Sequence, residues 1–324
     1  MPELPEVETV RAGLEPVLRG RRFVRVEQRR ANLRFPLPER FAERLTGRRV
    51  ERLDRRAKYI LVHLDGGEVL AIHLGMTGRF SVIPPPARSG ARTPSPSLPS
   101  GSPLARPVHN QPEGLRGEGI QLGDYTYEHG RDAKHDHLVF QMSGGAVVTY
   151  NDARRFGYMT LIREQDLAQD AFFRGLGVEP LGDELTPGYL ARRANGRTLD
   201  LKALLMDQRI VAGLGNIYVC EALFRAGLSP FKPAGRLATE TAKPTPAARR
   251  LVPQIKAVLA DAIRAGGSTL RDYKQADGSI GAFQDEFQVY GREGEPCPRR
   301  DCRGRVRRKT QGGRSTFYCP VCQR

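Results

Sequence analysis

YILVHLDGGEVLAIHL, residues 59–74, decides the fold class. Two runs rich in aliphatic residues flank Asp65-Gly66-Gly67, the turn chemistry of a tight hairpin. Leu138–Met142 and Ala146–Tyr150 repeat the pattern around Ser143-Gly144-Gly145. Two hairpins with alternating faces predict a sandwich or barrel. Working outward, Val7, Val10, Leu14, Val17 and Leu18 recur at helical spacing, and Gly20 is placed to end that helix. Beyond Phe156 the period changes from 2 to 3.6. Asp200–Gln208 and Ile217–Ala226 read as helices joined by RIVAGLGN (Arg209–Asn216). Leu251, Ile255, Val258, Leu259 and Ile263 mark another helix, stopped by Gly266-Gly267. The fold class is therefore α+β.

Length and composition bound the function. The chain has 324 residues, and Lys plus Arg is 52 against 36 Asp plus Glu, a net charge of +16. That length suits about two domains, and that charge suits a polyanionic partner. No stretch approaches the ~18 apolar residues of a membrane span, so no membrane contact is expected. The N-terminus lacks the basic and apolar regions of a secretory signal, which makes a cytoplasmic, reducing setting the expectation. Pro84–Pro107 holds eight Pro and five Ser in 24 residues. Such a composition predicts an unfolded insertion inside a domain, spanning about residues 84–130. Deleting roughly Pro86–Pro107 is expected to leave activity intact.

Three features carry chemistry. Four of the five cysteines, Cys297, Cys302, Cys319 and Cys322, form C-x4-C-x16-C-x2-C in the last 28 residues. Four thiolates complete a tetrahedral Zn2+ shell without water, which makes a closed structural site. Arg292–Arg324 holds ten Lys/Arg against three Asp/Glu, net +7, so this knuckle is aimed at phosphate. Cys220, on a helical segment, reads as a core thiol. At the other end, Pro2 follows Met1. Removal of Met1 would leave a secondary amine with a pKa near ~8, able to condense with an aldehyde carbon to an iminium. Glu3, Glu6 and Glu8 crowd the same turn and offer a general acid or base. The competing reading is an ordinary acidic, proline-bearing helix start. Finally, HLGMTGRF (His73–Phe80) and NDARRFG (Asn151–Gly157) follow strands. Met76, Arg154 and Phe156 there read either as core Met and Phe with a surface Arg or as the kit for opening a base stack.

Together these residues resemble the formamidopyrimidine-DNA glycosylase family, bacterial repair enzymes that remove oxidised purines. PELPEVET (Pro2–Thr9), RRAKY (Arg55–Tyr59), HLGMTG, KHDH (Lys134–His137), NDARRFG, LLMDQ (Leu204–Gln208), GLGNIY (Gly213–Tyr218) and RSTFYCPVC (Arg314–Cys322) carry the resemblance in family order. It implies a helix-flanked N-terminal β-sandwich over residues 1–178, a linker over 179–185, a helix–two-turn–helix domain over 186–286 and a β-hairpin zinc finger over 287–324. It implies Pro2 as the nucleophile at C1′, Glu3 as proton shuttle, Lys58 as a second essential group and Arg314 as a catalytic phosphate contact. Met76, Arg154 and Phe156 would fill the gap left by an extruded base. His137, Lys202, Asn216 and Tyr218 would also serve the DNA site. Gly266–Gln284 matches the loop that closes on an everted 8-oxoguanine. One structural zinc, damaged duplex DNA as partner and a monomer follow from the same resemblance.

The C-x4-C pair departs from the family's usual C-x2-C, which implies a longer knuckle loop with the metal kept. Two other readings compete. An endonuclease VIII-like glycosylase shares the proline, the glutamate and the zinc hairpin but prefers oxidised pyrimidines. A non-enzymatic zinc-ribbon DNA-binding protein explains the charge and the cysteines but not Pro2, Glu3 or Lys58.

Overall fold

The computed structural model describes residues 2–85, 120–122, 132–268 and 283–324. Most of the Pro/Ser-rich insertion and of the Gly266–Gln284 loop lies outside the described residues.

Helix α1 (Leu4–Leu18) opens the chain, with Pro5 in its first turn, where a missing N–H is tolerated. Val7, Val10, Leu14 and Leu18 are buried on one face, and Gly20 at φ +75° ends the run. Strand β1 (Phe23–Gln28), the short helix α2 (Phe41–Leu45) and strands β2 (Val50–Arg56), β3 (Tyr59–Leu64), β4 (Glu68–His73) and β5 (Gly78–Ile83) follow. Inside the expected 84–130 insertion, Ile120–Leu122 forms strand β6 and pairs with β5, so the unfolded reading fails there: a short run can add to a sheet edge through its backbone alone. Strands β7 (Asp136–Met142), β8 (Val147–Asp152) and β9 (Tyr158–Arg163) follow. One sheet runs β1-β7-β8-β5-β6 and the other β2-β3-β4-β9, with every pairing antiparallel. Phe23, Phe80, Leu138 and Tyr150 of the first sheet share one core with Leu53, Ile60, Val62 and Ile72 of the second and with α1. This is the sandwich, and both predicted hairpins stand at its centre.

One expectation fails here. Alternating strands would face core on one side and solvent on the other, yet β3 and β4 are buried on both faces. Leu61, Val69, Ala71 and Ile162 on the outer face pack against Phe173, with Phe172, Leu167 and Leu176 around them. The chain after β9 folds back as a cover, so the outer face needs apolar residues as well.

The second half is helical, in α3 (Pro187–Ala194), α4 (Leu201–Met206), α5 (Asn216–Ala226) and α6 (Pro246–Arg264). The Thr186 hydroxyl accepts the Tyr189 N–H and caps α3, a start signal the sequence reading passed over. Gly227 at φ +69° closes α5 as a left-handed cap. Leu204, Leu214, Val219, Leu223, Ile255 and Leu259 build a second core. The proline-rich link from Ser229 to Pro246 is not a loose tether, because Ala234 and Leu237 are buried in that core. Strands β10 (Arg307–Gln311) and β11 (Arg314–Tyr318) form a hairpin turned by Gly312 and Gly313, both at positive φ. Cys220 is 1 % exposed and packs with the cysteines of that hairpin module, as a core thiol does.

Candidate active site

Glu3 stands just ahead of α1 and is 4 % exposed. Its backbone N–H donates to the Glu6 carboxylate at 2.9 Å. Its own carboxylate turns away from α1 to the first turn of α5, accepting the Ile217 N–H at 3.0 Å and the Tyr218 N–H at 3.5 Å. Those amides are free because the first turn of a helix has no internal acceptors for them. Gly215 makes the approach possible, since a Cβ there would lie 2.2 Å from the Glu3 carboxyl carbon. Burial raises the Glu3 pKa to about 7; the Lys58 charge opposes this, Glu6 adds to it and the α5 amides oppose it. A carboxyl titrating there both gives and takes a proton at neutral pH.

Lys58 lies in the turn between β2 and β3 and is 6 % exposed. Burial pulls its ammonium below the usual lysine range, Glu3 opposes the shift, and the positive charge of Arg314 adds to it. Pro2 is buried beside Glu3 at the start of α1. The N-terminus, the β2–β3 turn and the head of α5 thus meet at one place, from positions over 200 residues apart.

The zinc hairpin closes one side of it. The Asn216 side-chain amide donates to the Ser315 carbonyl at 2.9 Å. The Lys202 ammonium donates to the Thr316 hydroxyl at 2.7 Å. Both side chains therefore tie the helical domain to the hairpin that carries exposed Arg314. A cavity of about 550 Å³ opens beside them, lined by Lys202, Met206, Arg209, Gln311 and Arg314.

The sulfurs of Cys297, Cys302, Cys319 and Cys322 all lie within 4.8 Å of one another. Cys297 and Cys322 are 3.5 Å apart and Cys302 and Cys319 3.6 Å, close to the ~3.8 Å edge of a tetrahedron with Zn–S bonds of about 2.3 Å. The four thiols fit one structural zinc, and the wider C-x4-C loop does not spoil the geometry.

Met76, Arg154 and Phe156 converge on a cavity of about 650 Å³ that Arg34 and His73 also line. Met76 is 37 % and Phe156 40 % exposed, and the Arg154 guanidinium stacks on the Phe156 ring at 4.5 Å. Gly75 lets the two loops touch, since a Cβ there would lie 2.2 Å from the Phe156 carbonyl carbon. Asp152, fully buried, anchors both loops: it accepts from the Thr77 hydroxyl, the Arg155 N–H at 3.1 Å and the Gly157 N–H at 2.8 Å. Its role was not read from the sequence, because an Asp inside a motif gives no sign of how many donors will reach it. Burial, with Lys58 and Arg34 nearby, lowers His73 to about 4, so its imidazole is neutral at pH 7.

Two of the residues expected to serve the DNA site are buried. Tyr218 is fully buried and its hydroxyl donates to Glu6. His137 is 2 % exposed, with Nε2 2.8 Å from the Asp152 carbonyl. Tyr218 is thereby tied to Glu6 and His137 to the backbone of Asp152. Lys202, 3 % exposed, likewise works from under the hairpin.

Models of three domains match this chain: the formamidopyrimidine-DNA glycosylase N-terminal domain over residues 1–159, the H2TH domain of the same enzymes over 176–274, and the zinc finger found in FPG and IleRS over 294–324. The chain belongs to the formamidopyrimidine-DNA glycosylase family. The formamidopyrimidine-DNA glycosylase of Chelativorans sp. (strain BNC1) is 52 % identical over 328 residues, covering all of both chains. That of Methylobacterium nodulans is 53 % identical, covering all of this chain and 99 % of the relative. Among solved structures, the Fpg protein of Thermus thermophilus aligns with a TM-score of 0.73 at 38 % identity, covering 99 % of this chain and 98 % of that one. Lactococcus lactis Fpg in complex with abasic-site DNA aligns with a TM-score of 0.74 at 30 % identity, covering 99 % of each chain. The zinc-finger match sits on the four-cysteine cluster, so family and geometry agree on one structural zinc. Among the described residues no helix is long and apolar enough to cross a membrane.

Proposed function

We propose that this protein excises oxidised purines, 8-oxoguanine and formamidopyrimidines, from duplex DNA and then cleaves the strand as an AP lyase. The observation that carries the reading is the enclosed Pro2–Glu3–Lys58 centre, with a carboxyl near pKa 7 beside Pro2, whose nitrogen would become a secondary amine on removal of Met1. Relatives of the same family have been solved with abasic-site DNA and with DNA containing Fapy-dG.

The chemistry follows from these groups. A base inside a duplex shields C1′, so the nucleotide must leave the stack. Met76 and Phe156 enter the vacancy, and Arg154 meets the orphaned partner base. The Pro2 nitrogen, exposed by removal of Met1, attacks C1′ while Glu3 gives a proton to the opening sugar. The purine departs with its bonding pair and a proton. The resulting iminium acidifies the C2′ proton, and elimination of the 3′ and then the 5′ phosphate leaves a one-nucleotide gap. Lys58 and Arg314 hold phosphate at the reacting nucleotide. Cys297, Cys302, Cys319 and Cys322 would hold a zinc that fixes the shape of the hairpin presenting Arg314. The enzyme acts as a monomer in the bacterial cytosol at the nucleoid.

Sodium borohydride reduces an iminium to a stable amine, so incubation with abasic-site duplex and borohydride should give a covalent protein–DNA adduct. Pro2→Gly should abolish both adduct and cleavage. Absence of the adduct in wild type, or equal trapping and cleavage by Pro2→Gly, refutes the mechanism. Duplexes bearing 8-oxoguanine, a formamidopyrimidine or thymine glycol opposite cytosine define the substrate. Faster cleavage of thymine glycol would place the enzyme with the oxidised-pyrimidine glycosylases.

A further inference from the structure

The turn that carries Lys58 is chemically out of place. Arg56 pairs with Tyr59 across the ladder, so Ala57 and Lys58 make a two-residue hairpin turn. Ala57 takes φ +52°, in the left-handed region that glycine occupies freely and alanine does not. The neighbouring β3–β4 hairpin and the zinc hairpin meet the same demand with Gly66-Gly67 and Gly312-Gly313. A strained, non-glycine turn persists where its surroundings over-determine it, and such turns gather at functional sites.

One side chain over-determines this one. The Glu179 carboxylate accepts the Ala57 N–H at 2.6 Å, the Arg56 guanidinium at 2.8 Å and the Arg55 guanidinium at 2.9 Å. Arg55 returns to the turn by donating to the Ala57 carbonyl at 2.9 Å, and also reaches Glu8 of α1 at 3.1 Å. Glu179 is itself fixed from the helical half. Val178 lies alongside Val211 in a parallel bridge, Gly177 donates to the Gln208 carbonyl at 2.8 Å, and Ala212 donates to the Val178 carbonyl at 2.9 Å. The 208–213 segment runs directly into the head of α5, which holds Glu3. A single carboxylate thus references the Lys58 turn to the frame that carries Glu3.

We propose that Glu179 is a positioning residue: it holds the strained Ala57–Lys58 turn in the conformation that delivers Lys58 to the reacting nucleotide. The inference rests on the function proposed above. It places Glu179 in contact with neither DNA nor the reacting atoms, so its effect falls on the rate of the chemical step and not on affinity.

Single-turnover cleavage of a preformed abasic-site duplex tests it. Glu179→Gln keeps the shape but loses the charge, and should slow cleavage roughly 10- to 100-fold, the loss expected from an ångström-scale misplacement. Binding to a duplex with a reduced, uncleavable abasic site should change less than about twofold. Adding Ala57→Gly, which relieves the positive φ, should restore much of the lost rate. In a Lys58→Gln background, Glu179→Gln should cause no further loss. A wild-type rate for Glu179→Gln, additive losses with Lys58→Gln, or no recovery on adding Ala57→Gly overturns the proposal. Should Glu179→Gln fail to fold by circular dichroism, Glu179→Asp with and without Ala57→Gly carries the same comparison. Wild-type enzyme that forms no borohydride adduct would refute the function instead, so the two failures are distinguishable.

Discussion

The centre at Glu3 and the rim at Met76 and Phe156 break the usual partition of side chains in opposite senses. At the centre, charged groups are buried: Glu3 is 4 % and Lys58 6 % exposed. At the rim, apolar groups stand in water at 37 % and 40 % exposure. Each inversion is unfavourable in the free protein and is held in place by polar anchoring, the α5 amides for Glu3 and Asp152 for the rim loops. The difference teaches what each region is built to do. Burial moves Glu3 toward neutrality, where a proton can pass either way, whereas exposure leaves Met76 and Phe156 free for the entry into a base stack that we propose.

Glu3→Gln should separate the two regions most sharply. Excision of 8-oxoguanine should fall by roughly 10²- to 10⁴-fold, the usual loss for a general acid–base group. Stability should move the other way. The Glu3 pKa is about 7 in the folded chain against an ordinary 4.5, so the folded state binds more protons between those values and stability falls as pH rises through that window. Gln carries no such penalty. The variant should therefore be more stable than wild type at pH 8, by an upper limit of roughly 3 kcal/mol, and lose that advantage at pH 4. Thermal melts at both pH values check this, and equal melting shifts at the two would refute it.

Zinc removal strikes the hairpin that Asn216 and Lys202 tie to the side of the centre. Structural zinc contributes on the order of 10 kcal/mol to folding of such modules. Chelation should release one zinc per chain and raise the dissociation constant for duplex by roughly 10²-fold, with a flatter salt dependence, as the net +7 knuckle is lost. Binding unchanged after metal loss would detach the knuckle from the interface.

Asp152→Ala should loosen the rim without touching the centre. It strands the Arg155 and Gly157 N–H groups and should lower stability by about 2–3 kcal/mol. Excision from duplex should weaken while borohydride trapping on a single-stranded abasic site persists. The mildest change, Met76→Ala or Phe156→Ala, should slow excision from duplex by roughly tenfold, about 1.4 kcal/mol, and recover when the lesion sits in an unpaired bubble. A loss that persists in the bubble would assign these side chains to the chemical centre and erase the contrast.

Legibility differs between the regions for a physical reason. The zinc site was plain in the spacing of Cys297, Cys302, Cys319 and Cys322, because two short loops must grip one ion. Both central hairpins were plain in their Asp-Gly-Gly and Ser-Gly-Gly turns. The outer face of the β3–β4 hairpin was misjudged, because only the fold shows Phe172 and Phe173 returning to cover it. The burial of His137 and Tyr218 was hidden for a similar reason: a polar residue inside a motif does not show which neighbours will cover it. Asp152 and Glu179 gave no sequence signal of their own, since their value lies in donors brought from several elements.

By itself the sequence determined the α+β class, the metal ligands and the acidic turn at Pro2 and Glu3, all of them local patterns written within a few turns of chain. Tertiary structure alone decided that Glu3 caps a helix more than 200 residues away, that Lys58 is buried beside it, and that Glu179 holds the strained turn between them. Desolvation, capping by a distant helix and relief of backbone strain depend on neighbours that sequence spacing does not name.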